Sequence, residues 1–361
     1  MQGRAHIYIN GTACVSPQHT LGDSFLSTPV NFTENVLKCQ LPDFKAYIPA
    51  AQLRRLSRML RVGLTSSVIC LRNAGVKSPD GIITATGYGF LEDTERFLCE
   101  IIERNEQQLT PTHFMQGTYN ALAGMIGLSL QCTGYNNTYV SKGYALGSAL
   151  DDAIIQIHDD AERQLLVGGY DEAATVQYKS VARDGHFKSE NIDSLTLYQH
   201  ETPGSLQGEG AAFFLLSGTR SAHTLCRLAG VHGLFKPSPD ELKEGIVNFL
   251  AKHDTEVKDL DLWISGYSGD VNRDALLKNA AADILSTTPY ACFKHLTGEY
   301  CTADGFALWL GAQIIKHQSV PATTLVAREV SAPRRIRKVL IINHYLGRNY
   351  TLYLLQLPRL V

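Results

Sequence analysis

Apolar positions along the chain follow two rhythms, one of period two and one of three to four, and the two alternate. Ile7-Tyr8-Ile9-Asn10-Gly11-Thr12 reads as a short strand ending on a small-residue turn. Residues 51–75 read as largely helical, because Leu53, Leu56, Leu60 and Leu64 recur at three and four. The Arg54, Arg55, Arg58 and Arg61 between them predict a solvated face or a partner contact. Ile82-Ile83-Thr84-Ala85-Thr86 is a β-branched run closed by Gly87 and Gly89, followed by a helix from about Glu92 with Phe97, Leu98, Ile101 and Ile102 on one side. An apolar helix is expected over residues 119–131, a strand over 136–141, and a second apolar helix through Ala145, Leu146, Ala149, Leu150, Ala153 and Ile157. Gln164-Leu165-Leu166-Val167-Gly168-Gly169 is mostly apolar and stopped by paired glycines, the pattern of a central strand covered on both faces.

Residues 178–206 are polar and irregular and predict a surface loop or small insertion; a strand at 208–216 then closes a first half. The rhythm restarts with a strand at 224–231, a helix near 239–252, a strand at 261–266, a helix from Asp274, an apolar helix over 305–315 and strands at 338–342 and 350–355. This order predicts an α/β protein in two halves, residues 1–217 and 218–361, although no sequence repeat demonstrates a duplication.

Composition narrows the function classes. Lys+Arg 33 against Asp+Glu 35 gives a formal net charge of -2, which excludes nucleic-acid binding driven by bulk charge. The eight Cys contain no CxxC pair and no Cys/His cluster at ligand spacing, so no metal is expected, and reduced thiols in a cytoplasm are the default. The first ten residues lack the apolar run of a signal sequence, and the most membrane-like stretch, Ala121 to Leu130, is too short to span a bilayer. Neither glycine pair carries a GxGxxG or P-loop pattern, so no nucleotide cofactor is expected. The densest basic run, Arg334-Arg335-Ile336-Arg337-Lys338, reads as a solvated edge or a seat for an acidic carrier protein.

Several motifs, taken in order, resemble the β-ketoacyl synthases of the thiolase superfamily. They are the opening strand, Gly168-Gly169-Tyr170-Asp171-Glu172, Gly208-Glu209-Gly210-Ala211-Ala212, Lys294-His295-Leu296-Thr297-Gly298-Glu299, which is similar to Lys-x-x-x-Gly-His, and Asn343-His344-Tyr345-Leu346-Gly347 at the Asn-Ser-Phe-Gly loop. The resemblance implies a thiolase-like fold of two similar βαβαβ halves forming a five-layered α-β-α-β-α core. Such an enzyme needs a Cys at a helix N-terminus as nucleophile and two His that stabilise the enolate formed on decarboxylation.

Here the nucleophile position falls on Gly143, or with a shift of one or two residues on Lys142 or Ser141. Gly266 stands where the first His belongs and Glu299 where the second does, while Lys294 is retained. His295 lies four residues too early and Cys132 reads as a small apolar filler. With Glu299 or Asp304 nearby, Lys294 is expected to form an ion pair.

The resemblance is therefore to a chain-length-factor subunit without the triad, of the aryl polyene, flexirubin or type II polyketide kind. It implies a partner, either a catalytic ketosynthase or a second copy, an acyl carrier protein as a further contact, and no cofactor. Tunnel or interface positions would be Phe114, Met115, Tyr119, Asn137 and Tyr139, although Met and aromatics at helical spacing are commonly core. The competing readings are an acyltransferase or decarboxylase using Ser141, Lys142 or the Lys294/Glu299 pair, and a homodimeric acyl-binding protein.

Overall fold

The computed structural model describes residues 5–22, 25–324 and 335–358, with the backbone alone for 176–179. In chain order the first half comprises β1 (Ile7–Val15), β2 (Val36–Leu37), α1 (Ala50–Leu53), α2 (Arg58–Ala74), β3 (Gly81–Thr86), α3 (Leu91–Glu103), α4 (Pro111–Gln116), α5 (Ala121–Leu130), β4 (Tyr135–Val140), α6 (Ala145–Asp159), β5 (Leu165–Asp171), α7 (Thr175–Arg183), β6 (Gln207–Gly208) and β7 (Gly210–Ser217). The second comprises β8 (Cys226–Phe235), α8 (Pro239–Lys252), β9 (Leu262–Ser265), α9 (Val271–Ile284), β10 (Tyr290–Cys292), α10 (Lys294–Thr297), α11 (Asp304–His317), β11 (Lys338–Tyr345) and β12 (Asn349–Gln356).

Ten strands hydrogen-bond in the order β10-β9-β11-β12-β8-β1-β7-β5-β3-β4, with an antiparallel seam where Ile7 faces Leu228. Outward from that seam each half repeats one arrangement: its first strand, its last strand antiparallel to it, then three mutually parallel strands. The duplication invisible in the residues is thus plain in the topology. Three apolar clusters account for the helical layers. One surrounds α6 and α11 between the two halves, one packs α2 and α5 on the outer face of the first, and one packs α8 and α9 on the outer face of the second. The result is the five-layered thiolase-like core.

Local chemistry explains the elements that position the site. In α11, Phe306, Leu308, Leu310, Ile314 and Ile315 are all buried, each burial being worth about 1.5–3 kcal/mol. A helix apolar nearly all round must be covered on every side, and α11 packs against strands of both halves. Every residue of β5 is buried, as befits a strand flanked by β3 and β7 and covered by helices on both faces. Ser238 and Glu241 form a reciprocal capping box with Pro239 at the first turn, which fixes the start of α8.

Three expectations are corrected. The stretch 51–75 is largely helical as expected, in two pieces, α1 and α2, but Arg58 turns inward to the buried Glu209 instead of joining a solvated face. The segment 178–206 is not wholly irregular, since α7 runs into it. The first strand continues through Cys14 and Val15, paired with Ala212 and Ala211 of β7.

Candidate functional site

The start of α6 is where a ketosynthase would carry its nucleophile. After β4 the chain makes one 3-10 turn, Lys142–Tyr144, and enters α6. A Cβ on Gly143 would lie 2.3 Å from Tyr345 Cβ and 3.0 Å from Asn349 Cβ, so the position accepts no side chain. Ser141 and Lys142 are exposed. The Ser141 hydroxyl caps no backbone amide of the turn, and the Lys142 ammonium lies 6.0 Å over the Tyr88 ring.

Gly266, where the resemblance would put the first imidazole, is closed in the same way. A Cβ on Gly266 would meet Asn343 Oδ1 at 2.5 Å and Asn343 Cα at 2.6 Å. Both closures come from one place, the end of β11 and the start of β12. That hairpin also brings in His344, which the sequence reading quoted without assigning a role. His344 is fully buried, with Nε2 2.9 Å from Asp274 Oδ1 and Nδ1 receiving the Gly347 amide at 3.1 Å. An Nδ1 that accepts leaves Nε2–H as the donor to Asp274, so both ring nitrogens are committed within the scaffold. Asp274 also accepts from the Ser268 amide and hydroxyl and the Gly269 amide. Burial pushes its carboxyl up, but the His344 and Ser268 contacts outweigh that and hold it below the usual carboxylate range.

Lys294 and Glu299 form the expected ion pair, with Nζ to the two carboxylate oxygens at 2.8 and 3.1 Å, and Nζ also donates to the His344 carbonyl at 2.5 Å. Burial raises the Glu299 pKa, and Lys294 opposes the rise. Asp304 makes no ion pair with Lys294, although that charge opposes the rise of its pKa. Its Oδ2 accepts from the Tyr353 hydroxyl, and burial lifts its pKa to about 7. His295 is buried against Tyr198, donates its Nε2–H to the Thr323 carbonyl (2.7 Å), and is held near pKa 4 by burial, a structural placement. Cys132 sits partly buried with its thiol 3.2 Å from the Pro79 carbonyl.

Between these groups lies an inner cavity of about 30 Å³, walled by Tyr88, Asp171, Glu172, Glu299, Cys301 and Tyr345 among others. That is room for a water molecule, not for an acyl chain or its tether. Asp171 accepts from Thr86 Oγ1, the Gly87 amide and the Thr302 amide and hydroxyl, tying β3 to the start of α11. Glu172 accepts the Glu92 amide at the start of α3 and is lifted to about pKa 8 by burial. The Cys301 thiol, a wall residue that sequence reasoning passed over, is pushed far up by burial and by Asp171 and is no thiolate at neutral pH. Among the described residues no group of His, Cys, Asp and Glu is placed to hold a metal ion.

A second, larger cavity of about 730 Å³ opens on the edge strand β4, bounded by Tyr88, Thr94, Tyr119, Asn120, Asn136, Asn137, Thr138 and Val140 among others. Tyr88 and Leu91 belong to both cavities and form the wall between them. Of the five predicted tunnel or interface residues, Tyr119 and Asn137 border this cavity. Phe114 and Met115 lie on α4, 59% and 60% exposed. Tyr139 turns the other way and packs on the central core. Around β4 the surface is unusually apolar: Leu98, Ile102, Leu128 and Ile155 are each more than half exposed. The apolar side of the helix expected from Glu92 therefore faces outward, not into the core.

Residues 34–194 match the family described as "Beta-ketoacyl synthase, N-terminal domain". No curated protein matches the sequence. Among solved structures, the ishigamide ketosynthase/chain length factor superposes with TM-score 0.80 over 99% of this chain and 100% of that one, at 16% identity. A β-ketoacyl synthase from Burkholderia phymatum STM815 superposes at 0.78 over 98% and 100%, at 15% identity. The AntDE:AntF structure, a type II PKS acyl-carrier protein in complex with its ketosynthase bound to the hexaketide, superposes at 0.77 over 98% and 100%, at 11% identity. Among the described residues no helix is long and apolar enough to cross a membrane.

Proposed function

From a chain that is β-ketoacyl synthase-like over residues 34–194 and takes the ketosynthase fold throughout, we propose a noncatalytic, chain-length-factor-type subunit. It pairs with a catalytic β-ketoacyl-carrier-protein synthase and shapes that enzyme's acyl tunnel, in polyketide or fatty-acid-type biosynthesis of the aryl polyene or flexirubin kind. The observation that carries the reading is the double closure. The nucleophile and first-imidazole positions are not only glycines; the β11–β12 hairpin fills the space their side chains would need. Without nucleophile and imidazole donors, neither acyl transfer nor enolate stabilisation has its groups.

The edge of the sheet supports the pairing. β4 leaves one side of its backbone unpaired, and the exposed apolar residues around it suit a lasting interface of roughly 1,600 Å² or more. The 730 Å³ cavity opens on that same edge, so a partner docked there would close it. Tyr88 then forms its floor and sets how far an acyl chain from the partner can reach.

The test is co-expression with the catalytic ketosynthase, followed by intact-protein mass spectrometry after mixing with acyl- and malonyl-loaded carrier protein. The expected result is a heterodimer in which only the partner carries the acyl adduct, and longer products when Tyr88→Ala is introduced here. An adduct on this chain, or acyl transfer that depends on Lys294, overturns the reading. A stable homodimer that ignores the ketosynthase does so too.

A further inference from the structure

The basic run read from the sequence begins at Arg334, outside the described residues, and no site is built on it. The 730 Å³ cavity on β4 carries more, because its walls are unlike those of a hydrocarbon sleeve. Eight of its eleven lining residues bear a hydroxyl or a carboxamide, Leu91 and Val140 alone are aliphatic, and none is charged. Pockets for small organic molecules are lined predominantly by apolar side chains, with a few polar groups placed for orientation. A saturated chain lying here would strip water from hydroxyls and amides and return no hydrogen bond, which costs free energy at every such group.

Most of these polar groups are already spent within the chain. Thr94 and Thr118 donate to the Phe90 and Met115 carbonyls at 2.8 and 3.0 Å, and the Thr138 hydroxyl is 2.8 Å from that of Thr84. Asn137 accepts the Thr138 amide at 2.9 Å and donates to the Tyr135 hydroxyl at 3.3 Å, and the Tyr88 hydroxyl is engaged with Tyr345. Three groups are left over. Asn120 is the N-cap of α5, where a carboxamide ordinarily accepts a backbone amide of the first turn, yet its side chain caps nothing. Tyr119 is held by its ring and its backbone: a Cβ on Gly89 would lie 2.5 Å from Tyr119 Cδ1, and the Tyr170 hydroxyl donates to the Tyr119 carbonyl at 2.7 Å. The Tyr119 hydroxyl has no partner among the described residues, so a phenylalanine would serve the packing equally well. Asn136 donates Nδ2–H to the Ala123 carbonyl at 2.9 Å, which leaves its Oδ1 as a spare acceptor.

We infer that this cavity selects an acyl chain whose far end carries an uncharged hydroxyl, with Tyr119, Asn120 and Asn136 as the residues that set the preference. This rests on the proposed pairing, in which a docked partner closes the cavity and the chain enters from the partner's side. Open to solvent, the three groups are served by water; once closed over, they need hydrogen bonds from the ligand. A hydroxyl matches them because one group both donates, to Asn136 Oδ1, and accepts, from Tyr119 or Asn120. A carboxylate or ammonium end finds no counter-charge among the walls, since Lys142 lies over the Tyr88 ring without lining the cavity.

The experiment gives the heterodimer an equimolar mixture of 8-hydroxyoctanoyl- and octanoyl-carrier protein and reads the ratio of the two adducts on the ketosynthase by intact-protein mass spectrometry. The hydroxylated chain is expected to load in roughly tenfold excess. Y119F/N120A in this chain should bring the two to parity, with heterodimer formation and melting temperature unchanged. Equal loading by the unaltered heterodimer, or an excess of octanoyl, overturns the proposal; so does a preference that survives Y119F/N120A, since it then belongs to the ketosynthase. Absence of a heterodimer refutes the pairing instead, and the chain alone is then titrated calorimetrically with the pantetheine thioesters of the same two acyl groups. Binding of the hydroxyoctanoyl thioester roughly tenfold more tightly, lost in Y119F/N120A, upholds the hydroxyl preference; equal binding, or none, overturns it.

Discussion

Gly143→Ala turns the closure of the nucleophile position into a measurable free energy. Gly143 has an ordinary negative φ in a helical turn, so by backbone entropy alone the substitution should stabilise by about 0.4–1 kcal/mol. Packing reverses the sign. The new Cβ would stand 2.3 Å from Tyr345 Cβ, well over 1 Å inside ordinary carbon contact, and a Cβ cannot rotate away. Overpacking of this kind costs about 1–3 kcal/mol, so a net loss of about 1–2 kcal/mol is expected. For a chain of 361 residues that is a melting-temperature drop of roughly 1–3 °C by calorimetry. Gly124→Ala is the internal control, because it lies within α5 with nothing within 4 Å of its Cβ position and should stabilise instead. If Gly143→Ala matches or exceeds Gly124→Ala in stability, the hairpin does not fill the site. Gly143→Cys would then deserve a test for restored acyl transfer.

Val140→Arg, at a 42% exposed position on the edge strand, should abolish co-purification with the ketosynthase while leaving the melting temperature within about 1 °C; an unaltered heterodimer would place the interface elsewhere. Lys294→Met strands Glu299 in the core and should cost about 3–5 kcal/mol in denaturant unfolding, with K294M/E299Q recovering part of it; a loss below 1 kcal/mol would mean the pair is not buried as described. Glu172 has a folded pKa near 8, above its unfolded value, so the folded state holds the extra proton and stability falls as pH rises from about 4.5 to 8. Glu172→Gln should therefore stabilise at pH 8, change little at pH 4.5 and flatten that slope; parallel pH profiles for the two proteins would refute the assignment.

Much of the fold was legible because its signals are local. The α8 span, the buried run of β5 and the two apolar central helices each follow from spacing and capping within one segment. Two things were not. The amphipathic pattern of α3 has an apolar side in either case, and periodicity cannot say whether that side meets the core or a partner; Leu98 and Ile102 are exposed. The closure of Gly143 and Gly266 depends on residues about 75 to 200 positions away, so the sequence showed the missing side chains but not the hairpin standing in their place. His344 was hidden for the same reason, since its partner Asp274 lies seventy residues upstream.

Glu299 itself has a physical explanation that needs no chemistry. Lys294 is fully buried, and an ammonium there is tolerable only with a counter-charge and hydrogen bonds on its remaining protons. Glu299 supplies the charge and two of the contacts, and the His344 carbonyl supplies a third, which fills the three donor sites of an ammonium. An imidazole at position 299, neutral or cationic, could not neutralise Lys294. Losing either partner alone would leave an unpaired charge in the core, so the two are held together by stability whatever the reaction. Retention of Lys294 is thus no sign of surviving catalysis. Glu299→His alone is expected to destabilise the fold without restoring carbon dioxide release from malonyl-loaded carrier protein, and release by that single variant would show that the scaffold still holds a working site.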